Sequence, residues 1–172
     1  MSPTSSTSQH RNARARRDRA GRKYKPERID LLLVAEAPPT ALDRYFYFEY
    51  VQQQDSLFRY VCRAVLKKEP TRTNKSAQLA ELRDHGVFLI DLQQEPHDST
   101  PLATLVRRLV SRCRRLSPFR IILIKVNVFD AAYEPLRQAG LPVVNVRVPF
   151  PGSGQQAKFM RQMQKALKAK VA

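Results

Sequence analysis

The sequence predicts an α/β fold, a three-layer α/β/α sandwich around a four-stranded parallel sheet. Two observations carry that expectation. Four short, nearly continuous apolar runs have the pattern of strands buried on both faces. Between successive runs, apolar residues recur at helical spacing. A third observation, the abrupt change of composition near residue 28, sets where the folded domain begins.

The four runs are Ile29–Ala35, Val87–Ile90, Ile121–Ile124 and Val143–Val146. After the first, Leu57, Tyr60, Val61 and Val65 recur at helical spacing, with Asp55 or Ser56 as the N-cap. Ala77, Leu79 and Leu82 mark a second helix, ended by Gly86. Leu102, Leu105, Leu109 and Cys113 form a third stripe, opened by Ser99-Thr100-Pro101 with proline in the favoured first turn. Phe129 through Leu136, closed by Gly140, makes a fourth. Ser153 opens a fifth, carrying Phe159, Met163 and Leu167. There is no internal repeat and no sign of a second domain, so residues 28–172 read as one unit.

Residues 1–27 contain almost no large apolar side chains and read as a disordered basic arm. The run from Arg14 to Arg19 offers sequence-blind phosphate contacts, or else a solubilising or targeting tail. Across the 172 residues, 31 lysines and arginines face 15 acids, for a net charge of +16. The arm contributes +6 and the remainder +10, so the domain is basic in its own right. That balance favours a polyanion partner, nucleic acid first and DNA before RNA. No apolar run approaches the ~18 residues of a membrane span, so no membrane partner is expected. The N-terminus lacks a secretory core, which makes the cytoplasm the default location and leaves an organelle presequence open. Two cysteines and three histidines are too few and too scattered to suggest a metal or cofactor. A monomer is expected.

In open parallel sheets, ligands bind outside the carboxyl ends of the strands. The segments that fall there are Glu36-Ala37-Pro38-Pro39, Asp91, Lys125-Val126-Asn127 and Pro149-Phe150-Pro151-Gly152-Ser153. Prolines fix φ and restrict the residue before them, so Pro38 and Pro39 hold a rigid turn around Glu36. A carboxylate there could position or activate water, or simply cap the loop's N–H groups. Asp91 is open between the same two kinds of role. Four successive aromatics, Tyr45-Phe46-Tyr47-Phe48, offer either a stacking surface or core filler under the loop.

Val34-Ala35-Glu36-Ala37-Pro38-Pro39 resembles the first motif of the uracil-DNA glycosylase superfamily, in the form carried by its iron–sulfur branch. The resemblance extends in order through Asp91, the Lys125–Ala131 turn and the Pro149–Ser153 segment, covering roughly residues 28–168. It implies a uracil-DNA glycosylase-like fold that hydrolyses the N-glycosidic bond of a base flipped out of the stack. On that resemblance Glu36 and Asp91 are the catalytic candidates. Ala37, Pro38, Phe46, Tyr47, Lys125 and Asn127 would bind the substrate, with Phe46 the ring stacked on the base. Pro149, Pro151, Gly152, Ser153 and Lys158 would contact the DNA backbone.

Three departures qualify it. Asp91 stands where the family presents an asparagine, and an ionised carboxylate accepts hydrogen bonds but cannot donate them. Val148 stands where the family places a histidine that stabilises the departing base; His97 and Lys125 are the remaining sources of positive charge. With two cysteines the chain cannot supply the four ligands of that branch's cluster. Excision of uracil or another altered base is therefore one expectation. A binding module that does not cut is the second, and an enzyme acting on free nucleosides or nucleotides a third.

Overall fold

The structure, a computed structural model, describes residues 3–53 and 55–171. The sheet has three parallel strands, β1 (Leu31–Ala35), β2 (Val87–Asp91) and β3 (Ile121–Leu123), in the spatial order β2-β1-β3. Every residue of all three strands is buried, as the unbroken apolar runs predict. Leu31 pairs with Val87 and Ala35 with Asp91, so β1 and β2 end side by side. Leu32 pairs with Ile121 on the other edge of β1.

Around the sheet the described residues form six α-helices: α1 (Pro3–Lys23), α2 (Ser56–Val61), α3 (Lys75–Asp84), α4 (Leu102–Leu116), α5 (Val126–Gln138) and α6 (Gln156–Lys168). A π turn, Cys62–Leu66, prolongs α2. The chain moves outward from β1 to β2, then reverses to reach β3 on the far side of β1. Right-handed crossovers therefore set α2 and α3 on one face and α4 on the other. The packing agrees, since α4 lies against α5 while α2 and the π turn pack on α6. Leu32, Leu33, Ile121, Ile122, Leu109, Phe58 and Phe159 fill the interior between these layers. Fully burying each such side chain is worth about 1.5–3 kcal/mol.

Asp55 is the N-cap of α2, its carboxylate accepting from Leu57 N at 2.8 Å. Gly86 closes α3 at φ 73, and Asp30 and Leu31 both donate to its carbonyl. That glycine is required, because a Cβ there would lie 2.7 Å from Asp30 Oδ2.

Three expectations need correction. The expected fourth strand is not a strand; it touches β3 only at two isolated parallel bridges, Ile121–Val143 and Ile124–Val148. Between those bridges the outer segment advances five residues while β3 advances three, so no continuous ladder can form. The last helix starts at Gln156 rather than Ser153, because Ser153 and Gly154 both have positive φ and form a turn ahead of it. Finally, residues 3–23 are helical rather than disordered.

Why the N-terminal segment docks is chemical. Alanines and arginines favour helix, yet α1 has no apolar stripe to advertise a buried face. Its anchor is Arg17, only 7% exposed, whose guanidinium donates to Gln94 O and Glu95 Oε2, each at 3.1 Å. Arg14 adds a hydrogen bond to Gln94 Oε1 and an ion pair with Glu95. At the other end Gly21 lies against the Tyr47 ring, and Tyr24 stacks on Tyr47 while donating to Glu49. Among the described residues, no helix is long and apolar enough to cross a membrane.

Candidate functional site

Reversal of the strand order at β1 leaves a crevice beyond the carboxyl ends of the parallel strands, where such sheets hold ligands. A cavity of about 370 Å³ opens there. Each strand sends one polar side chain into its wall: Glu36 follows β1, Asp91 ends β2 and Lys125 follows β3. Ala37, Pro38 and Pro39 line the same cavity, as does Phe46.

Glu36 is held by two donors. Lys125 Nζ lies 2.8 Å from its Oε2, and Asn127 Nδ2 donates to the same oxygen. Burial pushes the Glu36 carboxyl up, but the hydrogen bonds from Lys125 and Asn127 and the lysine's charge outweigh it, leaving it below its ordinary value. Glu36 is thus ionised at neutral pH. Lys125 reaches it from an unusual backbone: φ 86, ψ 137 is a conformation that glycine tolerates and other residues rarely adopt. The Lys125 N–H is nonetheless tied to Val148 O at 2.8 Å. The strained turn sets the ammonium over the pocket and starts α5, whose second residue is Asn127.

Asp91 is the opposite case. It is 8% exposed, and no described group donates a hydrogen bond to its carboxyl. Burial pushes its pKa up to about 7; Arg112 and Arg17 pull it down, and the charge of Asp55 pushes it further up. Arg112 Nη1 donates 2.7 Å to the Asp91 main-chain carbonyl instead of to the side chain. Two carboxyls in one cavity therefore differ in charge near neutrality, one ionised and one carrying a proton part of the time. Behind Asp91 lies a second cavity of about 260 Å³, roofed by α1 and lined by Arg17, Arg22 and Arg112. Asp91 borders both.

The aromatic segment splits between wall and core. Phe46 faces the cavity but is buried, packed edge-on against Phe58 at 5.3 Å and Tyr47 at 5.0 Å. Tyr47 does not line this cavity. Its hydroxyl accepts from Leu89 N at 2.6 Å and donates to Leu89 O at 3.1 Å, sealing the edge of β2, so its expected substrate contact is corrected to a structural role.

The wall is braced from behind by Lys75, which is only 2% exposed. Its ammonium donates to Tyr45 O at 3.1 Å and lies 4.7 Å from the Phe58 ring centre. Burial pulls its pKa down to about 8, partly countered by the charge of Asp55.

Pro149 and Pro151 are buried, so neither ring offers surface to a DNA backbone. Gly152 packs against Phe150, while Ser153 and Lys158 are exposed beyond the cavity. His97 is exposed on the loop after β2 and does not line the cavity; Val148 is fully buried. Among the described residues, no cluster of histidine, cysteine and carboxylate side chains could hold a metal, and Cys62 and Cys113 are buried free thiols.

Sequence reasoning puts Phe150 in a rim segment, Tyr45 among four candidate stacking rings and Asp55 at a helix cap without giving any of them a place in the pocket, and it misses Arg44; Phe150 is 41% exposed at the rim and the other three line the wall. Phe150 has a signal in hindsight, a large apolar residue between two prolines in a strand-end loop. Asp55 gives no such signal, because a helix cap and a pocket residue look alike in sequence. Comparison with family models, curated proteins and solved structures finds no match to this chain.

Proposed function

We propose that the strand-end cavity binds a base extruded from nucleic acid and that the protein hydrolyses the N-glycosidic bond of that base. The observation that carries this is the meeting of Glu36, Asp91 and Lys125, from three adjacent parallel strands, in one crevice walled by aromatic rings. A volume of about 370 Å³ suits a planar heterocycle together with part of its sugar. The ordered resemblance to the uracil-DNA glycosylase superfamily, and a basic domain, support the same substrate class.

In this reading water attacks the anomeric carbon while the carbon–nitrogen bond breaks and its electron pair leaves with the base; the proton the water gives up passes to Glu36 and from there to the released base. Ionised Glu36 orients the water and stabilises the positive charge that develops on the sugar. Lys125, fixed beside Glu36, supplies positive charge to the departing base where the resemblance implies a histidine. Asp91, when protonated, both donates and accepts, as the amide of an asparagine would, and so reads the edge of the base. Phe46 and Phe150 hold its faces.

A base-release assay by mass spectrometry tests this, using single- and double-stranded oligonucleotides that carry uracil, hypoxanthine and alkylated bases. Release that disappears in Glu36→Gln supports the reading. No release from any substrate, with the wild type folded, refutes it.

One observation favours the second reading, a module that binds without cutting. Both donors converge on a single Glu36 oxygen, and Val148 is buried where a catalytic histidine is implied. That reading predicts salt-sensitive nucleic-acid binding whose affinity survives Glu36→Gln.

A further inference from the structure

The segment after Pro39 walls two depressions. Arg44, Tyr45 and Phe46 face the strand-end cavity, whereas Tyr47 through Tyr50 border a groove of about 640 Å³ against α1. On the helix side the groove presents Arg16, Arg19 and Lys23; on the loop side it presents Phe48, Glu49 and Tyr50. Three cations against one carboxylate make it basic, and Lys23 is the one that pairs with Glu49. Arg19 forms no ion pair among the described residues. Arg16 is held in place, its guanidinium 4.5 Å above the Phe48 ring and hydrogen-bonded to Leu42 O. Tyr50 is the anomaly. It is 89% exposed, a large ring projecting into solvent beside a row of positive charge.

We propose that this groove is the track for a single strand of nucleic acid, with α1 contacting phosphates and Tyr50 stacking on an unpaired base. It rests on the nucleic-acid reading of the cavity and deepens it by naming the substrate as single-stranded. A cationic wall facing an exposed aromatic is the arrangement that binds single strands without reading sequence, because every base has a stackable face. In a duplex the bases are already stacked, and Tyr50 would have nothing to engage. Arg16, ordered by Phe48 and Leu42, meets a phosphate with little conformational loss. The Ala15 and Ala20 positions on the helix side of the groove keep its wall low enough for a backbone to lie along it.

The test is fluorescence anisotropy with the full chain and labelled oligo-dT and oligo-U of equal length, across a salt series. An unlabelled duplex and polyglutamate serve as competitors. Tyr50→Ala is expected to weaken binding by about tenfold, with Tyr50→Phe retaining it, as stacking requires. Arg19→Glu is expected to weaken binding and to flatten the slope of log K against log salt by roughly 0.7 or more, the single-strand value for one lost phosphate contact. Arg115→Glu, the same charge change on α4 outside the groove, should do much less.

The proposal is overturned if the wild type fails to bind the oligonucleotides. It is equally overturned if duplex or polyglutamate competes as well as single strand, or if Arg115→Glu matches Arg19→Glu. Strand binding that depends on Tyr50 without base release would refute hydrolysis alone. Base release with affinity indifferent to Tyr50 and Arg19 would refute the groove alone.

Discussion

Replacing Asp91 with asparagine should stabilise the protein at neutral pH and free base release from the protonation of this carboxyl, since the amide donates and accepts at every pH. In the folded chain the Asp91 carboxyl is buried at the end of β2 with no hydrogen-bond donor among the described residues, and its pKa rises from 3.8 to about 7. Between those values the folded state keeps a proton that the unfolded chain has released. The unfolded state then binds fewer protons, so stability falls as pH rises through this window and levels off above it. At about 1.4 kcal/mol per unit, the span amounts to on the order of 4 kcal/mol at pH 8.

Asparagine has nearly the same shape and no charge at any pH. The wild type and Asp91→Asn should therefore be close in stability near pH 4 and diverge steadily to about pH 7, with the variant ahead. Urea denaturation of both proteins, followed by circular dichroism across that range, measures the difference directly. A difference that stays constant with pH, or a wild type that gains on the variant as pH rises, refutes the burial argument. The functional counterpart is a base-release rate whose dependence on pH near neutrality disappears in the variant. A carboxyl kept at such a cost to stability is what a binding or catalytic site retains.

Other perturbations read the remaining parts of the site. Glu36→Gln should reduce base release by at least ~10²-fold. It should change stability by less than about 1 kcal/mol, since its ion pair with Lys125 is partly exposed; thermal melts and release kinetics on one preparation separate the two effects. Lys125→Gly should be more stable than Lys125→Ala by about 1 kcal/mol, because only glycine relaxes at φ 86, while both lose release. Equal melting temperatures would show that the turn stores no strain. Gly86→Ala should lose about 1–3 kcal/mol to the clash with Asp30 and the positive φ. Arg17→Ala removes the buried anchor of α1, so limited proteolysis should cut residues 3–23 faster while the sheet remains folded. Unchanged cleavage would mean that the Tyr24–Tyr47 stack suffices.

The three strands are legible in the chain because a parallel strand buried on both faces must be apolar at every position, as Leu31–Ala35 and Val87–Ile90 are. The helices are legible for the complementary reason: a surface helix alternates its faces every 3.6 residues, and Gly86 and Asp55 punctuate the ends. Given strands and helices in alternation, the strand-end rule is enough to place Glu36, Asp91 and Lys125 at one rim. The fourth strand is over-read, because Val143–Val146 has strand composition but register, not composition, decides whether a ladder closes.

What the chain order conceals is everything fixed by contact between distant segments. Asn127 meets Glu36 across 91 residues, and Arg17 meets Gln94 across 77. The docking of α1 leaves no amphipathic trace, because it depends on a buried guanidinium and two tyrosines rather than an apolar stripe. Nor does sequence separate Phe46, which faces the cavity, from Tyr47, which seals the sheet beside it. Periodicity reports the average environment of an element. The direction of one side chain, the donor it finds and the proton it keeps depend on neighbours that only folding brings near.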